Sequence, residues 1–157
     1  RYLPFHVSGQ MGASPYHFRS GFNGGISFCE DIRGADYPRE LLREAIAEGK
    51  RIRRYYFGNF YALSEVNTSP ANWCAMQYHL PASGEGMILA FRRPAAPDSQ
   101  YTCGLREIDP AATYRVVQSA GYAPGPPVLL RGERLMGMVL DIAEQPGSLL
   151  VEYQRLD

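Results

Sequence analysis

The sequence is short of nearly every feature that would announce a function by itself. Positive and negative charges cancel, with 16 Lys and Arg against 16 Asp and Glu in 157 residues. Such a balance leaves no electrostatic footprint for nucleic acid or for an anionic membrane surface. No apolar run approaches the ~18 residues that would mark a membrane span, and no signal-peptide pattern opens the chain. There are three cysteines (Cys29, Cys74, Cys103), an odd number and far apart. No Cys-x-x-Cys pair exists and no histidine stands at ligand spacing from any of them, so they read as buried free thiols rather than metal ligands. The Gly-rich stretch 9–25 has neither Gly-x-Gly-x-x-Gly nor Gly-Lys-Ser/Thr, which argues against a phosphate cradle. His6 and Ser8 share a strand face, but no nucleophile elbow surrounds a serine and no motif surrounds Cys29. His17 and His79 have no partner recognisable from sequence.

What is present is a change of period at Gly58. Residues 2–8 alternate, with Leu3, Phe5 and Val7 on one face and Pro4, His6 and Ser8 on the other. Ser14 followed by Pro15 predicts a short helix near 15–21. GISFCEDIR, residues 25–33, reads as a second strand with Ile26 and Phe28 on its apolar face. A long helix then opens at Asp36-Tyr-Pro, with Asp36 expected to cap it. Tyr37, Leu41, Ala45, Gly49, Ile52 and Tyr56 recur at three- and four-residue steps, and Leu42 and Ile46 widen the stripe. Early Glu40 and Glu44 and late Lys50, Arg51, Arg53 and Arg54 complement the helix dipole, so the basic cluster reads as a helix C-terminus.

After Gly58 the period is two. Strands are predicted near 59–63, 72–80, 86–93, 100–106, 113–118, 127–131, 137–143 and 148–156, separated by turn sequences such as PASGEG and EQPG. Short strands on short turns imply an antiparallel sandwich. The two halves therefore differ: residues 1–58 are α/β, and residues 59–157 are all-β. A strand–helix–strand–helix unit does not bury both faces of a two-stranded parallel sheet alone. With a start at Arg1 inside a strand, this makes the chain, by expectation, the C-terminal part of a longer protein.

Pleat geometry sharpens the first half. In a closed parallel barrel one strand face packs on helices and the other lines the interior, with the active site at the C-terminal strand ends. His6 and Asp31 then point inward as candidate substrate contacts. Glu30, adjacent to Asp31, points to the opposite face and is expected to pair with a helix residue.

The blocks YYFGNFYAL, NWCAMQYHLPASGEGMILAFRRP, GLREIDPAATYRV, LRGERLMGMVLDI and SLLVEYQRL, in that order over about residues 55–156, resemble the C-terminal end of α-galactosidase-like glycoside hydrolases of the family 36 type. ISFCEDIR with PRELLREAIAEGKRIR is similar to the last strand and helix of the related barrels, and LPFHVSG to the strand before. The resemblance implies the last two βα units of a (β/α)8 barrel in residues 1–58, truncated, followed by an antiparallel β-sandwich in 59–157. It implies a retaining glycosidase parent acting on α-linked galactosides or similar sugars, without metal or organic cofactor. The family's two catalytic aspartates belong to earlier strands and neither motif is present, so no catalytic residue carries over and the piece alone is expected to be inactive. Its expected partners are a carbohydrate, met through the parent barrel, and the missing N-terminal part of the same protein. The alternative is a non-catalytic carbohydrate-binding or structural sandwich, in which Trp73, Tyr78 or the aromatics at 55–61 would stack on sugar rings. Burial of those rings between the halves is the competing expectation.

Overall fold

A computed structural model describes residues 9–10, 12–22 and 27–157, with Gln10 and Phe28 described by backbone alone. The expected strand 2–8, with His6, and Ile26 of the second expected strand lie outside the described residues.

At the start, β1 (Gly9–Gln10) and β2 (Ser27–Phe28) pair in parallel, and α1 (Pro15–Gly21) lies between them in the chain. Ser14 caps α1 through its hydroxyl, which accepts from the His17 amide, and Pro15 occupies the first turn, as the Ser-Pro pair predicts. The second strand is shorter than expected because residues 29–38 are taken up by turns.

α2 spans Arg39–Ile52 and buries Leu42, Ala45, Glu48, Gly49 and Ile52. Its first turn starts at Pro38, without a side-chain cap; Asp36 sits in the preceding turn, two residues too early to cap. Gly49 lets α2 pack tightly on the end of α1: a Cβ there would lie 2.9 Å from the Phe22 ring and 3.3 Å from Phe18. A 3-10 turn, Arg53–Phe57, continues α2, and the Gly58 amide closes it on the Tyr55 carbonyl at 2.9 Å.

The remaining strands are β3 (Asn59–Ala62), β4 (Cys74–Leu80), β5 (Glu85–Arg92), β6 (Gln100–Thr102), β7 (Thr113–Ser119), β8 (Val128–Arg131), β9 (Val139–Asp141) and β10 (Gly147–Arg155). A short helix, α3 (Gly132–Met136), which the period-two reading missed, follows β8. Six strands form one antiparallel sheet in the order β3-β4-β5-β10-β7-β8, and β6 pairs with β9. The architecture is mostly antiparallel sheet with few helices, as a sandwich-like domain requires.

The large sheet is buried on both sides. Ala75, Ile88, Ala90, Tyr114, Val116, Leu149, Val151 and Tyr153 face one core, which the β6–β9 pair and α3 close with Leu135, Met138, Leu140 and Ile142. Tyr78, Met87, Leu89, Phe91 and Leu150 face the other, closed by Phe18, Phe22, Ala45, Ile52, Tyr55 and Tyr56. Double burial explains why β5 reads as an apolar run rather than an alternating strand. Cys103 is buried in the first core, but Cys74 is half-buried and Cys29 exposed; all three are free thiols. The expectation of uniform burial thus fails for Cys29, which sits where the turn begins after β2.

Candidate functional site

The carboxyl ends of parallel strands are where loops converge on ligands in α/β folds. Here those ends belong to β1 and β2. β1 leads through Gly12, in the left-handed region at φ +83°, into the Ser14 cap. The Ser14 hydroxyl also lies 2.7 Å from His17 Nδ1, so His17 is an exposed member of the first turn of α1 with a partner. β2 leads into the turn that carries Glu30 and Asp31.

The two neighbouring carboxylates behave differently. Glu30 Oε1 accepts from the Gly12 amide at 2.9 Å and from the Tyr37 hydroxyl at 2.6 Å, tying the loop after β1 to the loop after β2. Its partners precede the helices, so the expected helix pairing is replaced by a loop-to-loop link. Burial, then the Glu30 carboxylate, pushes the Tyr37 hydroxyl up to about 12. Asp31 stands in the exposed turn. Its Oδ1 accepts from the Arg33 side chain and from the Arg33 amide, each at 3.0 Å, and these bonds hold its carboxyl below the usual range. Glu30 is therefore already bonded across the two loops, and Asp31 within its own. Among the described residues no group of three or more His, Cys, Asp or Glu is arranged to hold a metal.

Behind this end, the helices are fastened to the sheet by charge. Arg19 of α1 grips Glu48 of α2 through two parallel bonds, Nε–Oε1 at 2.7 Å and Nη2–Oε2 at 2.8 Å, with both side chains at most 1% exposed. Its remaining donors reach the Ser148 hydroxyl on β10 and the carbonyls of Ala120 and Gly121 after β7. Arg51 pairs with Glu152, and Arg54 with Glu85 at 2.7 Å. Burial nevertheless holds the Glu152 carboxyl above the usual range, with Arg51 offsetting only part of the cost. Arg51 and Arg54, which read as part of a helix C-terminus, thus bond across the layers. Glu152 is 101 residues from Arg51 and Glu85 lies two strands beyond Arg54, both too far for a local pattern to signal.

Most aromatics of the junction are interior; Phe57, 72% exposed, is the exception, and Phe60 and Tyr61 are half-buried. Phe18, Phe22, Tyr56, Tyr78 and Phe60 touch in succession, with centroids 4.6–5.8 Å apart. Trp73 is 7% exposed, donates to the Asp98 carbonyl at 3.0 Å and stacks on Tyr101. His79, 3% exposed, meets the Tyr153 hydroxyl at 3.0 Å, and Gln77 donates to the same oxygen at 2.7 Å. That network was also invisible in the sequence, because its members come from β4 and β10.

A parallel strand pair with an intervening helix, set against one face of a doubly covered antiparallel sheet, places the chain among folds that join an α/β unit to a β-sandwich. No protein-family model matches the chain, and no curated protein sequence matches it. Solved structures do. An α-galactosidase of family GH36, AgaB from Geobacillus stearothermophilus, shares the fold with a TM-score of 0.67 at 22% identity, over 99% of this chain and 21% of that one. The galactosidase domain of the α-galactosidase-sucrose kinase AgaSK gives 0.68 at 18%, over 89% and 19%. The α-galactosidase from Lactobacillus brevis gives 0.63 at 19%, over 90% and 20%. The resemblance read from the sequence blocks is therefore matched by a shared fold. The chain spans about a fifth of the length of the structures it matches.

Proposed function

We propose that this chain is the C-terminal end of an α-galactosidase-like retaining glycoside hydrolase whose parent acts on α-linked galactosides or similar sugars. In this reading β1 with α1 and β2 with α2 are the last two units of a (β/α)8 barrel contained in residues 1–58, and residues 59–157 are the sandwich beside it. The observation that carries the reading is the breadth of the likeness. It covers 89–99% of the chain, hence both the helical layer and the sheet, on proteins that are α-galactosidases.

A retaining mechanism sets two carboxyl groups ~5 Å apart across the scissile bond, one as nucleophile and one as acid and base. Glu30 and Asp31 do not suit that pair: one is locked between Gly12 and Tyr37, the other is turned to Arg33. The reacting carboxylates are assigned to the parent's earlier strands. His6 and Asp31 are assigned to the wall of the sugar pocket, and the Glu30 link gives the pocket rim a fixed shape. The test is a chromogenic α-galactoside offered to the purified 157-residue chain and to the parent. Turnover by the parent alone is expected; turnover by the chain alone, removed by changing one of its own acids, would overturn the assignment.

A non-catalytic carbohydrate-binding sandwich draws little support from the aromatic rings. Trp73, Tyr55, Tyr56 and Tyr78 are all buried, which leaves them no sugar-stacking face, and of the aromatics at 55–61 Phe57 alone is exposed. Retention of the isolated chain on a galactoside resin would favour that reading instead.

A further inference from the structure

Among the described residues, the helix-side face of the large sheet is buried at its centre and open near β3. The chain of rings that starts at Phe18 ends at Phe60. Beyond them, Phe60 and Ala62 of β3 and Cys74 and Met76 of β4 line a trough of about 380 Å³. Val66, 86% exposed, overhangs it from loop 63–73, and Glu65 and Arg93 stand beside it.

We propose that this trough receives the apolar flank of a helix from polypeptide that precedes residue 1 in the parent, an inference that rests on the glycosidase reading above. The trough is continuous with an interface already formed. Phe60 and Met76 pack against the same core that α1 and α2 close. Tyr16, in the first turn of α1, meets the Phe91 ring edge-on at 5.8 Å, and Phe91 is the register partner of Cys74. Among the described residues the helical layer therefore reaches the strand next to the trough. The layer also carries a parallel pair of only two strands, which needs neighbours to bury its faces. The matched structures are about five times as long as this chain, so chain enough to supply those neighbours exists in such proteins. An apolar trough flanked by one acidic and one basic residue suits a helix with an apolar stripe between polar edges.

Cys74 is a reporter inside the trough, and Ala62 is an exposed position on its wall. Cys103 serves as an internal control, because burial pushes its thiol up to about 11 and the thiolate is the reacting form. The expected result is maleimide labelling of Cys74 in the 157-residue chain, and labelling roughly tenfold slower or more in the parent, where reaction must await local opening. Ala62→Glu should leave the melting temperature of the isolated chain unchanged and lower that of the parent. The comparison of wild-type and Ala62→Glu parent stands even if the isolated chain does not fold.

Equal labelling of Cys74 in chain and parent, or a parent indifferent to Ala62→Glu, overturns the proposal. Protection of Cys74 that already appears in the isolated chain and rises with its concentration also overturns it, since the occupant is then a second copy. Hydrolysis of an α-galactoside, measured on the same parent samples, separates the two readings. An inactive parent with a protected Cys74 defeats the glycosidase assignment and leaves the trough filled; an active parent with a freely labelled Cys74 does the reverse.

Discussion

The two faces of the six-stranded sheet are sealed by different means. The face toward β6, β9 and α3 is mostly aliphatic, and its polar island of Gln77, His79 and Tyr153 is bonded internally. The face toward α1 and α2 is aromatic at its centre and ionic along its side, where Arg19–Glu48, Arg51–Glu152 and Arg54–Glu85 tie helix to helix or helix to sheet. Aliphatic packing is non-directional and tolerates repacking. A bidentate arginine does not; it fixes register and orientation. The sandwich side is thus organised for burial, and the helical side for placement. Placement is what an edge that must present loops at a defined height would need.

The largest effect that would break this comparison comes from Arg19. Arg19→Met leaves the Glu48 carboxylate buried, with Arg51 3.8 Å away as its remaining ion-pair partner. Removing one member of a buried pair costs about 3–5 kcal/mol, whereas replacing both by apolar residues is often near neutral. Arg19→Met should therefore lower stability by about that amount in urea denaturation, and Arg19→Met with Glu48→Met should restore much of it. A single-variant loss below about 1 kcal/mol would mean that the rings alone hold the helices, and that the two faces differ only in composition.

On the sandwich side the corresponding probe is steric. Gly86 passes under Tyr153, and a Cβ there would collide with the Tyr153 hydroxyl and the Tyr78 carbonyl. Gly86→Ala should cost about 1–3 kcal/mol by forcing strand β5 or Tyr153 aside. The ring carbon that bears the hydroxyl lies equally close, so the second change must shorten the side chain. Gly86→Ala combined with Tyr153→Leu should cost less than the sum of the two single changes if the ring is the main obstacle. Additive losses would place the obstacle at the backbone of β4.

The same comparison explains what the sequence could reveal. β10 was legible because Leu149, Val151 and Tyr153 face one way and Glu152 and Gln154 the other, and α1 because Ser14-Pro15 is a local start signal. The shortened strands β6 and β9 were overextended in the reading, since two-stranded pairing leaves the flanking residues to turns. α3 was missed because five residues hold too little of a helical period. The carboxyl-end site was half legible. Strand-face logic set Glu30 apart from Asp31, but both lie in the turn after β2, where pleat alternation no longer applies, and only the fold brings Gly12 and Tyr37 to Glu30. The ion pairs across the helical face were not legible at all, because nothing local in RIRR names Glu152 or Glu85.

A subtler distinction between the faces is their response to acid. Burial lowers the pKa of His79 below 6.5; Tyr153 of β10 faces its ring, and Glu107 from the loop after β6 adds a weaker opposing field. Above pH 6.5 the imidazole is neutral in both folded and unfolded chain and contributes nothing to the pH dependence. As pH falls through 6.5 the unfolded chain takes up the proton that the folded chain refuses, so stability falls until the folded pKa is passed. Thermal melts between pH 7.5 and 5 should show this loss, and His79→Gln should flatten it. An unchanged slope in that variant would move the acid sensitivity to the carboxylates of the helical face.

The smallest expected effect on folding is the most telling for function. Among the described residues Asp31 is bonded to Arg33 alone, with its side chain 64% exposed, so Asp31→Asn should leave the melting temperature where it was. If Asp31 instead lines a sugar pocket completed by upstream strands, the same change in the parent removes a charged acceptor from a site built to bond hydroxyl groups. A site of that kind loses discrimination when a buried polar partner is left unmatched. The parent's KM for an α-galactoside should then rise, with kcat less affected because Asp31 holds substrate rather than reacting with it. Unchanged kinetics alongside an unchanged melt would remove Asp31 from the pocket. The rim contribution of this segment would then rest on the loop fixed by Glu30, Gly12 and Tyr37.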